Sequence, residues 1–131
     1  DTAGSKKVSD LNHRVQIVSE HDSDLFISIH QNSFSQASVH GAQVFYYEGS
    51  AEGKQLAESI QASIQSMVDS ENERPIKGNT EYMILKKSPC TAVIVECGFL
   101  SNPDECAKLT SADYQKLIAS AIANGILNTL Q

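Results

Sequence analysis

The sequence predicts an α/β domain, a mixed, largely parallel sheet with helices on both faces. Two observations predict it. Short runs rich in β-branched residues alternate along the chain with stretches whose apolar residues recur at helical spacing. The two most apolar runs, LFISI (25–29) and TAVIV (91–95), each lead directly into an ionisable residue, His30 in one and Glu96 in the other. In open α/β sheets ligands bind outside the carboxyl ends of the parallel strands. If these two strands are parallel, both side chains face one cleft.

The elements follow in order. Ser9 or Asp10 is suited to cap a first helix that places Leu11, Val15 and Val18 on one face. LFISIH (25–30) then reads as a buried strand with Ser28 as its only small polar interruption. GAQVFYYE (41–48) is β-branched and aromatic, a second strand, with Tyr46 and Tyr47 on opposite faces, one packed and one exposed. The stripe Leu56, Ile60, Ile64, Met67 and Val68 predicts a helix near residues 51–69. DSENERPIKGN (69–79) is polar and broken by Pro75 and Gly78, a surface loop. EYMILKK (81–87) reads as a strand or short extended piece, and TAVIVE (91–96) as the central strand. A turn on Gly98 leads to a helix start in which Asn102 caps, Pro103 takes the first helical position and Glu105 follows three residues after the cap. A final helix begins at Thr110 or Ser111, with Tyr114, Leu117, Ile118, Ala121, Ile122, Ile126 and Leu130 on its apolar face.

Composition narrows the function. The chain has 131 residues, of which 40% are hydrophobic and 20% charged, enough for one packed domain. Its net charge of −6 and the lack of a basic cluster beyond Lys6-Lys7 and Lys86-Lys87 argue against a nucleic-acid partner. No apolar run approaches the roughly 20 residues that span a bilayer, and residues 1–10 do not resemble a signal peptide. Three cysteines, Cys90, Cys97 and Cys106, contain no C-x-x-C pair and read as free thiols.

A histidine and a glutamate at one sheet edge suit metal-assisted hydrolysis, the imidazole binding zinc and the carboxylate taking a proton from water. The same pair fits a hydrogen-bonded structural histidine and an end-of-strand carboxylate, so spacing alone leaves both readings open. His40 reads as a loop residue, and His13 and His21 as surface residues.

SIHQNS (28–33), GAQVFYY (41–47) and above all VIVECGFLSNP (93–103) resemble the zinc-dependent N-acetylmuramoyl-L-alanine amidases of bacterial cell-wall turnover. With SKKVSDLNHRVQIV (5–18), the likeness is greatest to the spore-cortex, germination-specific branch. The resemblance implies that residues 1–131 are the C-terminal two thirds of an amidase catalytic domain, lacking that family's first strand, helix and strand. It implies that His30 is a Zn2+ ligand, with the remaining ligands expected upstream of Asp1, and that Glu96 is the catalytic general base. Gln31, Asn32 and Ser33 are expected to shape the cleft wall, and the loop from Gly98 to Asn102 to buttress Glu96. The substrate implied is peptidoglycan, cut between N-acetylmuramic acid and L-alanine. That site of action implies an extracytoplasmic location reached through a targeting segment outside this chain, with or without an accessory protein. The rivals are a non-catalytic cell-wall binding or regulatory module that has lost the metal site, and a zinc peptidase that cuts within the stem peptide.

Overall fold

A computed structural model describes residues 2–130. The elements are helix α1 (Thr2–Glu20), strand β1 (Leu25–Asn32), strand β2 (Gln43–Tyr47), helix α2 (Ala51–Met67), strand β3 (Lys77–Asn79), helix α3 (Met83–Lys87), strand β4 (Thr91–Phe99), helix α4 (Pro103–Leu109) and helix α5 (Ala112–Thr129). The four strands form one sheet in the order β1-β4-β2-β3. β1 runs parallel to β4 and β2 parallel to β3, while β2 and β4 are antiparallel. The sheet is therefore mixed, as the sequence predicted, and β4 is an inner strand of it.

β4 is inner because its side chains are apolar on both faces, which only a doubly covered strand tolerates. Val93, Val95 and Cys97 point to one face and join Val44, Leu56, Ile60, Ile64, Ile118, Ala121 and Ile122 in the larger core, under α2 and α5. Ala92 and Ile94 point to the other and pack with Phe45 and Leu85. Ile60, Ile64, Val44, Val93 and Val95 are fully buried, each worth about 1.5–3 kcal/mol of transfer free energy. α2 and α5 are further tied by two side-chain bonds, Ser59 Oγ to Gly125 O and Ser63 Oγ to Ala121 O, both 2.6 Å. Their close approach leaves no room for a side chain at Gly125, where a Cβ would sit 2.7 Å from Ile60 Cα.

Several sequence expectations are corrected. α1 begins at Thr2, well before Ser9 and Asp10, which lie inside it; nothing in residues 2–8 breaks a helix as proline would, so a residue suited to capping carries on in helical form. Residues 81–87 are not extended. Asn79 Oδ1 accepts the N–H groups of Glu81 and Tyr82 at 2.8 and 2.7 Å, turning the chain into α3, where adjacent Ile84 and Leu85 are both buried. Within the expected loop 69–79, Lys77–Asn79 pairs with β2 as a three-residue strand. Met67, Leu117 and Leu130 are exposed at 41%, 39% and 69%, since the buried faces of α2 and α5 turn instead through Gly53, Ala57 and Gln61 and through Gly125. Tyr46 and Tyr47 are both half-buried, one against each core, because both faces of β2 are covered. The caps at Asn102 and Ser111 are as the sequence suggested, and Ser50 caps α2 in the same way, each accepting a backbone N–H from three residues on. The cysteines are free, Cys97 buried and the other two half-buried. No helix among the described residues is long and apolar enough to cross a membrane.

Candidate active site

β1 and β4 end side by side, with His30 directly opposite Glu96 in the parallel register. Side chains of a strand alternate faces, so His30 shares its face with Ser28, and Glu96 shares its face with Ile94. Gln43 is opposite Glu96 on the other flank and lies on the same side of the sheet. Three polar side chains from three strands therefore stand in a row across one end of the sheet. α3 occupies this face below them, with Ile84 and Ile94 at the base of the cleft.

Beyond Glu96 the register slips by one residue, Asn32 facing Phe99 while His30 faces Glu96. The extra residue of this bulge falls at Cys97 and Gly98. Gly98 has φ +154°, and a Cβ there would lie 3.1 Å from the Glu105 carboxylate, so both the backbone conformation and the space require glycine. Glu105 is buried and acts as a clamp. Its Oε1 and Oε2 accept the Gly41 N–H at 3.0 and 2.9 Å, and Oε1 also accepts the Phe99 N–H at 2.8 Å. The segment before β2 and the end of β4 are thus held by one carboxylate. The sequence pattern placed Glu105 at the third position of α4 as a capping residue; its grip on the Phe99 amide and on the Gly41 amide, 64 residues away, carried no sequence signal.

Glu96 is 9% exposed, and its Oε2 has no hydrogen-bond partner among the described residues. Burial raises its pKa above the ordinary 4.5, because desolvation disfavours the charged form. A buried carboxylate oxygen left unpaired is costly and marks a group kept available for a ligand or a proton. His30 is half-buried, and its Nε2 lies 2.7 Å from Ser28 Oγ. That contact occupies Nε2 and leaves Nδ1 as the free ring nitrogen. Burial, together with the positive charges of Arg14 and Lys7, holds the imidazole below its ordinary 6.5. It is therefore neutral at pH 7, the form that ligates a metal. On the opposite sheet face, burial and the charge of Glu96 push the Cys97 thiol up to about 11, so that sulfur is chemically quiet.

Two cavities meet at Glu96. One, of about 280 Å3, lies toward α1 and α3 and takes in His30, Gln31, Asn32, Tyr82 and Met83. The other, of about 300 Å3, lies toward β2 and takes in Asn32, Gln43, Phe45, Arg74 and Phe99. Of the expected wall residues, Gln31 and Asn32 line the cleft. Ser33 is exposed and lines neither cavity; its N–H donates to Asn32 Oδ1 at 2.8 Å. The loop after β4 is bound to β1, with Leu100 N–H donating to Asn32 O at 2.7 Å. His13, His21 and His40 are all exposed and take no part. Sequence reasoning missed Gln43 and Arg74; period-two alternation back from Phe45 places Gln43 on this face, but Arg74 arrives from a loop.

The sequence pattern of the N-acetylmuramoyl-L-alanine amidases matches residues 2–128. The chain belongs to this family. It is 34% identical over 122 residues to the germination-specific N-acetylmuramoyl-L-alanine amidase of Bacillus subtilis, covering 93% of this chain and 51% of that protein. Among solved structures it is similar to the CwlD amidase of Clostridioides difficile in complex with the GerS lipoprotein, with a TM-score of 0.94 and 38% identity over 99% of this chain and 66% of that one. It is also similar to the amidase AmiC2 of Nostoc punctiforme, with a TM-score of 0.83 and 33% identity over 92% of this chain and 65% of that one. The chain thus spans about half the length of the curated relative and just under two thirds of these solved domains.

A catalytic zinc takes about three protein donors and a water. His30 and Glu96 have suitable chemistry, one a neutral imidazole with a free nitrogen, the other a carboxylate with a free oxygen. Among the described residues, however, no group of three or more His, Cys, Asp or Glu is arranged to hold a metal ion. The chemistry of these two residues would fit part of a zinc site, and the described residues do not make up a whole one.

Proposed function

We propose that this domain hydrolyses the amide between N-acetylmuramic acid and L-alanine in peptidoglycan, acting outside the cytoplasm, with Glu96 as general base. The observation that carries the reading is Glu96 itself: a buried carboxylate with an unpartnered oxygen, raised in pKa, standing opposite His30 where two cavities meet. The family supplies the reaction class, and the names of its relatives supply the bond and the wall.

In this reading the scissile amide lies over Glu96 with one half of the substrate in each cavity. Glu96 Oε2 takes the proton of the attacking water and returns it to the departing alanine nitrogen. A base needs a pKa drawn toward the working pH, and burial moves Glu96 in that direction. Gln43 and Asn32 present amide groups to the substrate on the β2 side. His30 would be one ligand of a Zn2+ completed by donors outside the described residues; when bound, such an ion polarises the amide carbonyl and acidifies water. Ser28, through its contact with His30 Nε2, restrains the ring and leaves Nδ1 as the nitrogen free for such an ion.

The rival reading is a wall-binding module without hydrolysis. Its support is the incomplete donor set among the described residues. Glu96→Gln in the intact protein separates the two. Under the hydrolase reading the variant keeps muropeptide binding and loses release of L-alanine amino termini, read by mass spectrometry of digested peptidoglycan. Wild-type protein that binds the wall and releases none would favour the module, and an active Glu96→Gln would remove Glu96 from the chemistry. Amino termini of residues beyond L-alanine would instead identify a peptidase.

A further inference from the structure

We propose that Arg74 is a specificity-determining residue that binds a carboxylate of the stem peptide, on the β2 side of the bond that Glu96 serves. The inference rests on the peptidoglycan reading given above and adds to it which half of the substrate lies where.

Arg74 reaches the second cavity from the loop between α2 and β3, and its placement is built rather than incidental. Its backbone N–H donates to Asn72 Oδ1 at 2.8 Å, and Asn72, itself buried, donates from Nδ2 to Ala42 O at 2.9 Å. The side chain runs against Gly41, where a Cβ would lie 3.1 Å from Arg74 Cδ. The guanidinium donates from one terminal nitrogen to Gly41 O at 3.2 Å and stands over the Phe99 ring, 5.3 Å from its centroid. Both contacts are with segments that the Glu105 carboxylate clamps.

What the guanidinium lacks is an anion. Among the described residues the ion pair found joins Arg14 to Asp10, and none of their carboxylates lies within 4.0 Å of Arg74. Of five N–H donors in an arginine, one is used here. Apart from Glu96 at the junction with the first cavity, the other groups lining the cavity are apolar, Phe45 and Phe99 among them, or amides, Asn32 and Gln43. A half-buried, aromatic-backed, unpaired arginine in such a pocket is suited to a carboxylate, which its planar fork accepts in two parallel bonds. The first cavity holds a lysine, Lys7, whose ammonium is a point charge without a planar fork, and the Tyr82 ring, an aromatic surface on which a sugar can pack. Because Glu96 lines both, the peptide half extends toward Arg74 and the glycan half toward His30 and Tyr82. The carboxylate nearest the scissile amide on the peptide side is that of the residue following L-alanine, which occurs as the free acid or as the amide.

The test uses the intact protein carrying Glu96→Gln, so that ligands are not consumed, and two probes: N-acetylmuramyl-L-alanyl-D-isoglutamate and its isoglutamine counterpart. Calorimetric titration at low salt should show the acid binding about tenfold more tightly than the amide, the discrimination expected of one charge-assisted fork. Adding Arg74→Gln should bring the ratio close to one by weakening the acid alone, and Arg74→Lys should restore only part of it. Equal binding of the two probes before any change at Arg74 overturns the assignment while leaving the peptidoglycan reading intact; this comparison needs no arginine variant to fold. A preference for the acid that survives Arg74→Gln also overturns it. Binding of neither probe overturns the peptidoglycan reading, and the assignment with it.

Discussion

Glu105 is the residue whose removal should cost the fold most for the least change in sequence. Its buried carboxylate accepts the N–H groups of Gly41 and Phe99, which lie 58 residues apart on segments with no other shared partner of this kind. Glu105→Ala leaves both donors facing a space vacated by the side chain. Each unsatisfied buried N–H costs about 1–3 kcal/mol, so the loss is about 2–6 kcal/mol, with about 4 as its centre. Against a total stability of about 5–15 kcal/mol this is a large fraction. Glu105→Gln separates hydrogen bonding from shape. An amide oxygen in the Oε1 position still serves both N–H groups, but the amide NH2 then meets the Gly41 N–H at the 2.9 Å now spanned by Oε2, donor against donor. Its cost should be smaller, about 1–2 kcal/mol. Asp104, exposed on the same first turn, is the control, with only a helix-dipole contribution of about 0.3–1 kcal/mol to lose. Urea unfolding followed by circular dichroism reads the differences. With a slope of about 2 kcal/mol per molar, Glu105→Ala should lower the midpoint by about 2 M. A Glu105→Ala protein within about 0.5 kcal/mol of Asp104→Ala would refute the clamp, because the two N–H groups would then have found other acceptors at little cost.

Two further outcomes follow from the same reasoning. Gly125→Ala gains about 1 kcal/mol of helix propensity, yet its Cβ would sit 2.7 Å from Ile60 Cα. Separating α2 from α5 should cost about 1–3 kcal/mol and outweigh the gain, so a raised melting temperature would contradict the packing described. Glu96→Gln should stabilise metal-free protein in a pH-dependent way. The folded carboxyl titrates above its ordinary 4.5, so between the two values the folded state holds more protons than the unfolded one. Wild-type stability then falls as pH rises through that window. Relative to wild type, the variant should be about equally stable near pH 4 and progressively more stable toward pH 7, in urea titrations with chelator present. A difference that does not change with pH would mean that Glu96 is not desolvated.

The parts of the fold that were legible in the sequence are those decided by local physics. TAVIVE shows its two-sided burial directly, because a strand covered on both faces needs apolar residues at every position. Asn102-Pro103 and Ser111 announce helix starts through a side-chain oxygen and a missing N–H, signals that need no tertiary context. EYMILKK misled for the opposite reason. Two adjacent apolar residues and a tyrosine suit a strand, and the decision for helix comes from Asn79 capping the preceding turn and from a core that accepts Ile84 and Leu85 together. The site divides in the same way. His30 and Glu96 could be placed because each follows an apolar run that fixes its register. Glu105 and Arg74 could not, since each acts on Gly41, more than thirty positions away, through contacts that exist only once the segment before β2 has been folded against them.

The location of Glu96 explains why the site and the core are inseparable in this domain. Val95 and Cys97, its neighbours in β4, are buried in the larger core, and Ile94 below it is buried in the smaller one. A carboxylate on a loop would keep its water and its ordinary pKa; on this strand it is denied both by side chains that cannot move without breaking the sheet. The desolvation that raises the Glu96 pKa, on which its proposed role as a base rests, is therefore a direct consequence of the packing that stabilises β4. The bulge at Cys97 and Gly98 then ends the tight ladder one residue beyond it, so that the backbone can turn away and open the cavities on either side. A carboxylate two residues earlier, at Ile94, would lie at the base of the first cleft, packed among Leu85 and Phe45 and remote from the second cavity. Glu96 thus occupies a position of β4 that is both stiffly held and open to two cavities.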